Sequence, residues 1–320
     1  MYGDALAFPF FGTQVFAYGL MVMLGCWLGL WLLIAITRRQ PQEYLAAAYA
    51  GVLMIPLGLI LARLIYCLLD PAFAPLLNLK NILDLRAGGF AMYGALFGAA
   101  TAALIGAKLA GLRANRMLDL LSPALLAFLV PARLGEGFTA LGISRPLTTD
   151  WLAGSFLAMQ DDYDAYLRTY LLEALIAAIL LFILLRFLLR KPKEGQPFLL
   201  FCLLYGITQT LMESLRYDGH LRYSFIGVQQ VFSAALFVFA LTLMAVRLIK
   251  KRKSSRSLPI LTLTLIPIVL GAIIGVEFLI DRSELGKLFS YGLYTLVLSI
   301  PAALGILMLK QEEHLGKKTR

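Results

Sequence analysis

Histidine is nearly missing from this chain: His220 and His314 are the only two in 320 residues, and they lie far apart. Cys26, Cys67 and Cys202 each sit inside an apolar run, without the paired spacing of a metal site or a disulfide framework. Local spacing therefore offers no metal site, and no cofactor is expected. Charge is scarce as well. Asp, Glu, Lys and Arg make up 15% of the residues, against roughly a quarter in an ordinary soluble domain.

Apolar residues fill the gap. They make up 60% of the chain, and the mean hydropathy is +0.80, the composition of an all-α polytopic membrane protein. A helical span needs about 20 mostly apolar residues, and nine windows qualify, near 13–37, 45–69, 88–110, 117–134, 166–187, 197–216, 225–248, 258–280 and 288–309. The first window contains "MLGC" (Met23 to Cys26), a faint echo of a lipoprotein cleavage box. Its first basic residues, Arg38 and Arg39, follow the apolar run instead of preceding it, so a first transmembrane helix is expected there and not a signal peptide.

The formal charge of +10 would suit nucleic acid if it were clustered on one face, but it is distributed by loop. Of the 29 Lys and Arg, 19 fall on the connections after the first, third, fifth, seventh and ninth windows. By the positive-inside rule the N-terminus is expected outside and the C-terminus in the cytoplasm. The excess charge is then a topology signal with some attraction for anionic lipid, and no nucleic-acid partner is expected. Two outer segments, 70–87 and 135–165, mix apolar and polar residues and are expected to lie along the membrane as amphipathic arms or a small cap. The basic stretch "KKRKSSRS" (250–257) separates a domain of residues 1–250 from a second one, 251–320, that holds the last two spans. No internal repeat suggests the inverted halves of a transporter.

Ionisable residues within a span are functional-site candidates by default. Here they are Arg63, Arg133, Glu136, Glu173, Glu213, Arg216 and Glu277. With the orientation above, all fall toward the external leaflet, from five spans. A lone arginine at a span end is often only an interfacial anchor, which is the simpler reading for Arg63 and Glu277 taken singly. Glu213 and Arg216 in "MESLR" are three apart, on one helical face, where they can bond each other. Arg133 and Glu136 in "RLGEGF" share that spacing, with glycines on either side of Glu136. Buried glutamates cost free energy unless paired, and arginine's planar fork suits phosphate. The cluster therefore fits an anionic phospholipid headgroup. Tyr18, Tyr93 and Tyr205 recur beside glycines in the spans, as interfacial aromatics or at close helix crossings.

Several of these segments together resemble the prolipoprotein diacylglyceryl transferases, which move diacylglycerol from phosphatidylglycerol to a lipoprotein cysteine. "FPFFGTQVFAYGLMVMLGCWLGL" (8–30) is similar to their first span, and "ILARLIYCLLDP" to the second around Arg63. "RMLDLLSPALLAFLVPARLGEGF" is similar to the approach to their signature, with Asp119, Pro123, Arg133 and Gly135 in register. "LLYGITQTLMESLRYD" is similar to their sixth span, and Gln230 to the glutamine that opens the seventh. The resemblance covers roughly residues 8–250, which leaves two extra spans. It implies a bacterial plasma-membrane enzyme that binds phosphatidylglycerol and the signal-peptide region of a prolipoprotein. Arg133, Glu173, Glu213 and Arg216 are the implied catalytic residues, and Tyr18, Arg63, Tyr93, Glu136 and Gln209 the implied substrate-binding ones. The glutamates are candidates either for the base that takes the thiol proton or for orienting the arginines.

The chain also departs from the family pattern. Glu136 stands where the family has asparagine, and Gly137, Thr139 and Leu141 replace a phenylalanine, an asparagine and a glutamate. Tyr93 in "GGFAMYGA" stands where a histidine is expected, and Gln209 replaces a functional arginine. Tyrosine, with an ordinary pKa of about 10, is a poor substitute base near neutral pH. A non-catalytic phospholipid-binding relative is the alternative reading, and a lipid transporter a further one.

Overall fold

The structure is a computed structural model that describes residues 7–10, 13–70, 78–83, 88–147, 149–218, 221–251, 255–282 and 286–317. A hairpin of β1 (Ala7–Phe10) and β2 (Thr13–Phe16) precedes α1 (Ala17–Thr37), α2 (Pro41–Leu69), the short α3 (Leu79–Leu83), α4 (Met92–Leu109) and α5 (Ala114–Gly135). A 3-10 turn over Glu136–Phe138 leads into β3 (Ile143–Pro146), α6 (Asp150–Ala153), β4 (Ala158–Gln160) and β5 (Ala165–Arg168). Then come α7 (Thr169–Leu189), α8 (Gln196–Leu215), the tiny hairpin β6 (Arg222–Tyr223) and β7 (Ile226–Gly227), α9 (Val228–Ile249), α10 (Ser257–Arg282) and α11 (Lys287–Lys317). Among the described residues nine helices are long and apolar enough to cross a membrane, and each overlaps one of the nine windows marked out by the sequence. The chain is an all-α polytopic membrane protein, with three small sheets in its connections among the described residues.

Those sheets refine one expectation. Residues 135–165 were expected as amphipathic arms or a small cap. Short stretches of the segment, Ile143–Pro146 and Ala158–Gln160, join Ala165–Arg168 in a three-stranded antiparallel sheet of order β3-β5-β4. Gly142 at φ +74 turns the chain into β3, and Pro146 has no N–H to extend a helix or a ladder. Where the β3–β5 register slips, Ser144 Oγ accepts the Leu167 N–H at 2.9 Å in place of a backbone carbonyl. Of the other outer segment, 70–87, most lies outside the described residues, as does the middle of the basic linker, 252–254.

The chain divides into two compact units, one of residues Val22–Leu129 and one of Met1–Met21 with Val130–Arg320. The first is held by small residues. Lipid tails are as apolar as leucine, so helices in a membrane associate through close packing and not through hydrophobic exclusion. Gly94, Gly98 and Gly106 recur along α4 and lie directly on the backbone of α2. A methyl group at Gly94 would fall 2.5 Å from Ala62 Cα, at Gly98 2.5 Å from the Leu57 carbonyl oxygen, and at Gly106 2.6 Å from that of Ala46. Buried Ala46, Ala50 and Ala62 complete the seam from the α2 side. Arg63 is buried just before the end of α2. It donates from Nη1 to the carbonyls of Gly88 and Gly89, two successive residues at positive φ, 69° and 75°. Without a Cβ they reach that conformation at little cost, so the glycine pair in "RAGGF" gives Arg63 its acceptors.

In the second unit α8 is the central helix, packed on α7, α9 and α11, with most of its side chains buried. Gly206 brings it onto α9, where a methyl would meet the Ser233 carbonyl oxygen at 2.7 Å. The α4 seam makes the clearest stability prediction. Gly98→Val puts branched carbon atoms where only backbone can give way, an overpacking cost of about 1–3 kcal/mol. The thermal midpoint of detergent-solubilised protein should fall clearly for Gly98→Val and stay unchanged for Gly271→Val, where nothing lies within 4 Å.

Candidate functional site: a buried arginine pair bridged by carboxylates

Three helix ends meet in the second unit. α5 carries Arg133 in its last turn, α7 carries Glu173 one turn in, and the chain leaves α8 at Arg216. The 3-10 turn that follows α5 brings Glu136 back over the same spot. That tight turn needs its glycines. A methyl at Gly135 would strike Met21 Cβ at 2.6 Å and approach the Tyr18 ring at 3.3 Å, and one at Gly137 would meet the Tyr170 ring at 2.8 Å.

Glu136 bridges the two guanidinium groups. Arg133 Nη1 donates to its Oε1 at 2.6 Å, and Arg216 Nη1 approaches its Oε2 at 2.9 Å. Glu173 bridges them a second time, with Oε1 accepting from Arg216 Nη1 at 2.7 Å and Oε2 lying 2.8 Å from Arg133 Nε. Arg133 Nη2 donates to Gln209 Oε1 at 3.2 Å, and Arg216 Nη2 to Asp218 Oδ2 at 2.7 Å. Asp218 Oδ2 also accepts the Gly142 N–H, which ties the start of β3 into the network. These ionic side chains are between 0% and 4% exposed. Tyr205, also buried, stacks on Phe201 at 5.3 Å and lies against Arg133. Arg216 Nε is buried without an acceptor among the described residues.

Two buried cations this close repel each other, and each alone would cost several kcal/mol to desolvate. Glu136 and Glu173 stand between them and offset the repulsion and part of the desolvation cost, which gives the glutamate at position 136 a structural role. The site can therefore present two charged, planar hydrogen-bonding groups in fixed relation to each other.

The sequence expectation was one cluster of seven ionisable residues, and the structure gathers only part of it. Arg133, Glu136, Glu173, Arg216 and Gln209 come together, and Tyr18 packs beside Gly135 next to them. The expected Glu213–Arg216 pair does not form. α8 ends at Leu215 and Arg216 is already extended, with φ −72° and ψ 137°, so the three-residue helical spacing no longer aligns them. Glu213 is buried beside Gly227. Glu277 instead takes part in a separate network with Gln230. Arg63 and Tyr93 belong to the other unit, Arg63 on its glycine carbonyls and Tyr93 buried at the start of α4. Asp218 and Tyr205 were not singled out as site residues. An aspartate two residues after Arg216 in "ESLRYD" was a signal for the first, since a partner so near in sequence can fold back once the helix has ended.

The sequence model of the prolipoprotein diacylglyceryl transferases matches residues 5–246. The chain belongs to this family. Relatives named phosphatidylglycerol–prolipoprotein diacylglyceryl transferase include one from Finegoldia magna, 27% identical over 73% of this chain and 92% of its own length. One from Clostridioides difficile is 26% identical over 68% and 84%, and one from Bacillus licheniformis is 28% identical over 79% and 96%. The matched family region contains both arginines, Glu136, Glu173 and Gln209, and leaves α10 and α11 outside it.

The network predicts a stability effect that can be measured apart from any activity. Glu136→Leu removes the anion shared by two buried cations, and breaking a buried pair in this way costs about 3–5 kcal/mol. The thermal midpoint of the purified protein should drop strongly. Glu136→Gln, which keeps acceptors toward one arginine, should lie between Glu136→Leu and the parent.

Proposed function

We propose that this protein transfers a diacylglyceryl group from phosphatidylglycerol to the cysteine thiol of a prolipoprotein, at the outer leaflet of the bacterial plasma membrane. Family membership and the relatives' names support the reaction. The observation that carries the reading in this chain is the pair of buried guanidinium groups held together by Glu136 and Glu173, with Arg216 Nε lacking an acceptor among the described residues. The outer leaflet follows from the distribution of Lys and Arg over the loops, which would put the site's helix ends outside.

In the transfer, the cysteine sulfur attacks the glycerol carbon that bears the phosphate ester. A C–S bond forms, the C–O bond breaks, and glycerol phosphate leaves with the bonding pair. Arg133 and Arg216 hold the phosphate and stabilise the negative charge that grows on it. Both oxygens of Glu136 and of Glu173 face guanidinium groups, so these residues position the arginines. Glu213, a buried carboxylate that is not shared between the two arginines, is assigned the thiol proton. Tyr18 lines the lipid site beside Gly135. Arg63, Tyr93 and the signal-peptide contacts are assigned to substrate on the family resemblance alone.

One observation favours a second reading. Gln209, where the family has an arginine, spends its carbonyl on Arg133, and tyrosine replaces histidine at position 93. A relative that binds phosphatidylglycerol without transferring from it would tolerate both changes.

Purified protein in phosphatidylglycerol-containing vesicles, given a synthetic peptide with one lipobox cysteine, separates the two readings by intact mass spectrometry. Transfer should add one diacylglyceryl group, no group should be added when the cysteine is serine, and Arg133→Ala should slow the reaction at least about a hundredfold. No mass gain, beside a family enzyme that is active in the same vesicles, would overturn the transferase reading. Phosphatidylglycerol retained by that inactive protein would then support the binding relative.

A further inference from the structure

α10 and α11 lie outside the family match, yet they are not a loose appendage. They close two hydrogen-bonded networks on α8, the helix that carries Gln209 and Glu213 and ends at Arg216. At the start of α8, the Gln196 side chain donates from Nε2 to Glu312 Oε2 on α11 at 3.1 Å. Lys251 also bonds Glu312 Oε1, and Lys193 Nζ donates to the Glu312 backbone carbonyl at 3.3 Å. At the end of α8, Tyr291 on α11 donates its hydroxyl to the Ser214 carbonyl at 3.1 Å. One helix of the extension thus bonds both ends of α8.

A second set of contacts reaches the same last turn through α9. Gln230 lies buried in the first turn of α9. Its Nε2 donates to Glu277 Oε1 on α10 and to Tyr294 Oη on α11 at 2.8 Å, with the Thr210 carbonyl of α8 at 3.3 Å. Its Oε1 accepts the Gly227 N–H at 3.3 Å, and Gly227 packs on the Glu213 side chain. Glu277 is 4% exposed and Tyr294 fully buried. Beyond the helix, Asp281 at the end of α10 pairs with Arg145 of β3 at 3.1 Å, and Arg145 in turn lies over the Tyr217 ring at 4.7 Å, next to Arg216.

The last carbonyls of a helix have no partners within it, and a buried helix end without external acceptor or donor groups is costly. Ser214 lies within that last turn of α8, and its carbonyl is satisfied from α11. The Glu213 and Arg216 carbonyls both accept from Arg222 Nη2, at 2.8 and 2.6 Å. The angle at which Arg216 leaves the helix is therefore set partly by the extension.

We propose that the two C-terminal helices are a clamp on α8, in which Glu277, Tyr291 and Tyr294 are positioning residues that hold Arg216 and Gln209 in register with Arg133. The inference rests on reading Arg216 as a group that holds the lipid phosphate. Glu277 acts through Gln230 and the helix end, not by touching lipid.

The test uses the full chain in vesicles with phosphatidylglycerol. Glu277→Leu and Tyr291→Phe should each raise the KM for phosphatidylglycerol about tenfold, with a smaller fall in kcat because Arg216 also stabilises the leaving phosphate. Glu277→Gln still offers Gln230 an acceptor and should restore most of the loss. Thr262→Val, whose hydroxyl bonds the Leu258 carbonyl within the first turns of α10, should leave KM unchanged. The double variant Gln230→Leu/Glu277→Leu should be no worse than Gln230→Leu alone, because both act on one chain of contacts. A lowered thermal midpoint with parental KM, or additive losses in the double variant, would overturn the clamp and leave the extension merely structural. If Glu277→Leu does not fold, Tyr291→Phe alone decides by the same KM criterion. If the parent transfers nothing, the transferase reading has failed separately. Phosphatidylglycerol retained on purification, counted by native mass spectrometry, then tests the clamp: lower occupancy in Tyr291→Phe supports it, and parental occupancy overturns it.

Discussion

Everything at the site depends on Glu136 standing between two arginines. A guanidinium group buried from water must be surrounded by acceptors, and two of them side by side need an anion in common. Glu136 supplies one oxygen to Arg133 and the other to Arg216, and Glu173 repeats the bridge from a different helix. The tight turn after α5 exists to deliver that carboxylate, and the glycines on either side of it exist because Met21, Tyr18 and Tyr170 leave no room for side chains. Asp218 then extends the same charge network to the backbone of Gly142 and so to the sheet of β3 and β5. Sheet, turn and helix ends are thereby tied into one charge network.

The two units are built on different principles, and the difference follows from what each must hold. In the unit of residues 22–129, α2 and α4 meet through glycine and alanine, where close backbone approach maximises dispersion and no polar group is needed in the seam. In the other unit, α7, α8, α9, α10 and α11 are tied at their ends by carboxylates, amides and phenols. Side-chain bonds at helix ends fix rotation and depth more tightly than apolar contact does, because a hydrogen bond weakens steeply once its distance or angle opens. A phosphate site of the kind proposed, with two guanidinium groups at fixed separation, would require that kind of restraint.

The spans were legible because nine long apolar windows have few other structures open to them, and the family resemblance followed from ordered motifs around Arg63, Arg133, Tyr205 and Gln230. The sheet of residues 143–168 was not legible. Its strands are only three or four residues long and their register depends on Ser144 Oγ, a contact made across more than twenty positions. At the site, Arg133, Glu136, Glu173 and Arg216 were found by the cost of burying charge, an argument that needs no coordinates. The pairing within that set was not available from spacing. Glu213 and Arg216 looked like partners at three residues, but the helix ends between them. Glu277 looked like an interfacial anchor because its partners Gln230 and Tyr294 are polar without being charged, and such residues leave a weak mark in a hydropathy profile.

The replacement at position 209 has a specific physical consequence. An arginine there would add a third cation to a cluster whose carboxylates are Glu136, Glu173 and Asp218, bringing buried charge to balance. With glutamine the described network carries two positive and three negative groups. Gln209 accepts from Arg133 through Oε1, so its amide hydrogens remain its donors, and they offer a phosphate directional bonds without added attraction. On the proposed reading, an anionic headgroup would meet a weaker field than three arginines would provide. Binding then leans on the exact placement of the two that remain, since a charged hydrogen bond loses strength steeply when its angle opens. A site with fewer charges has more to gain from well-held helix ends, and in this chain α11 bonds that end of α8 through Tyr291.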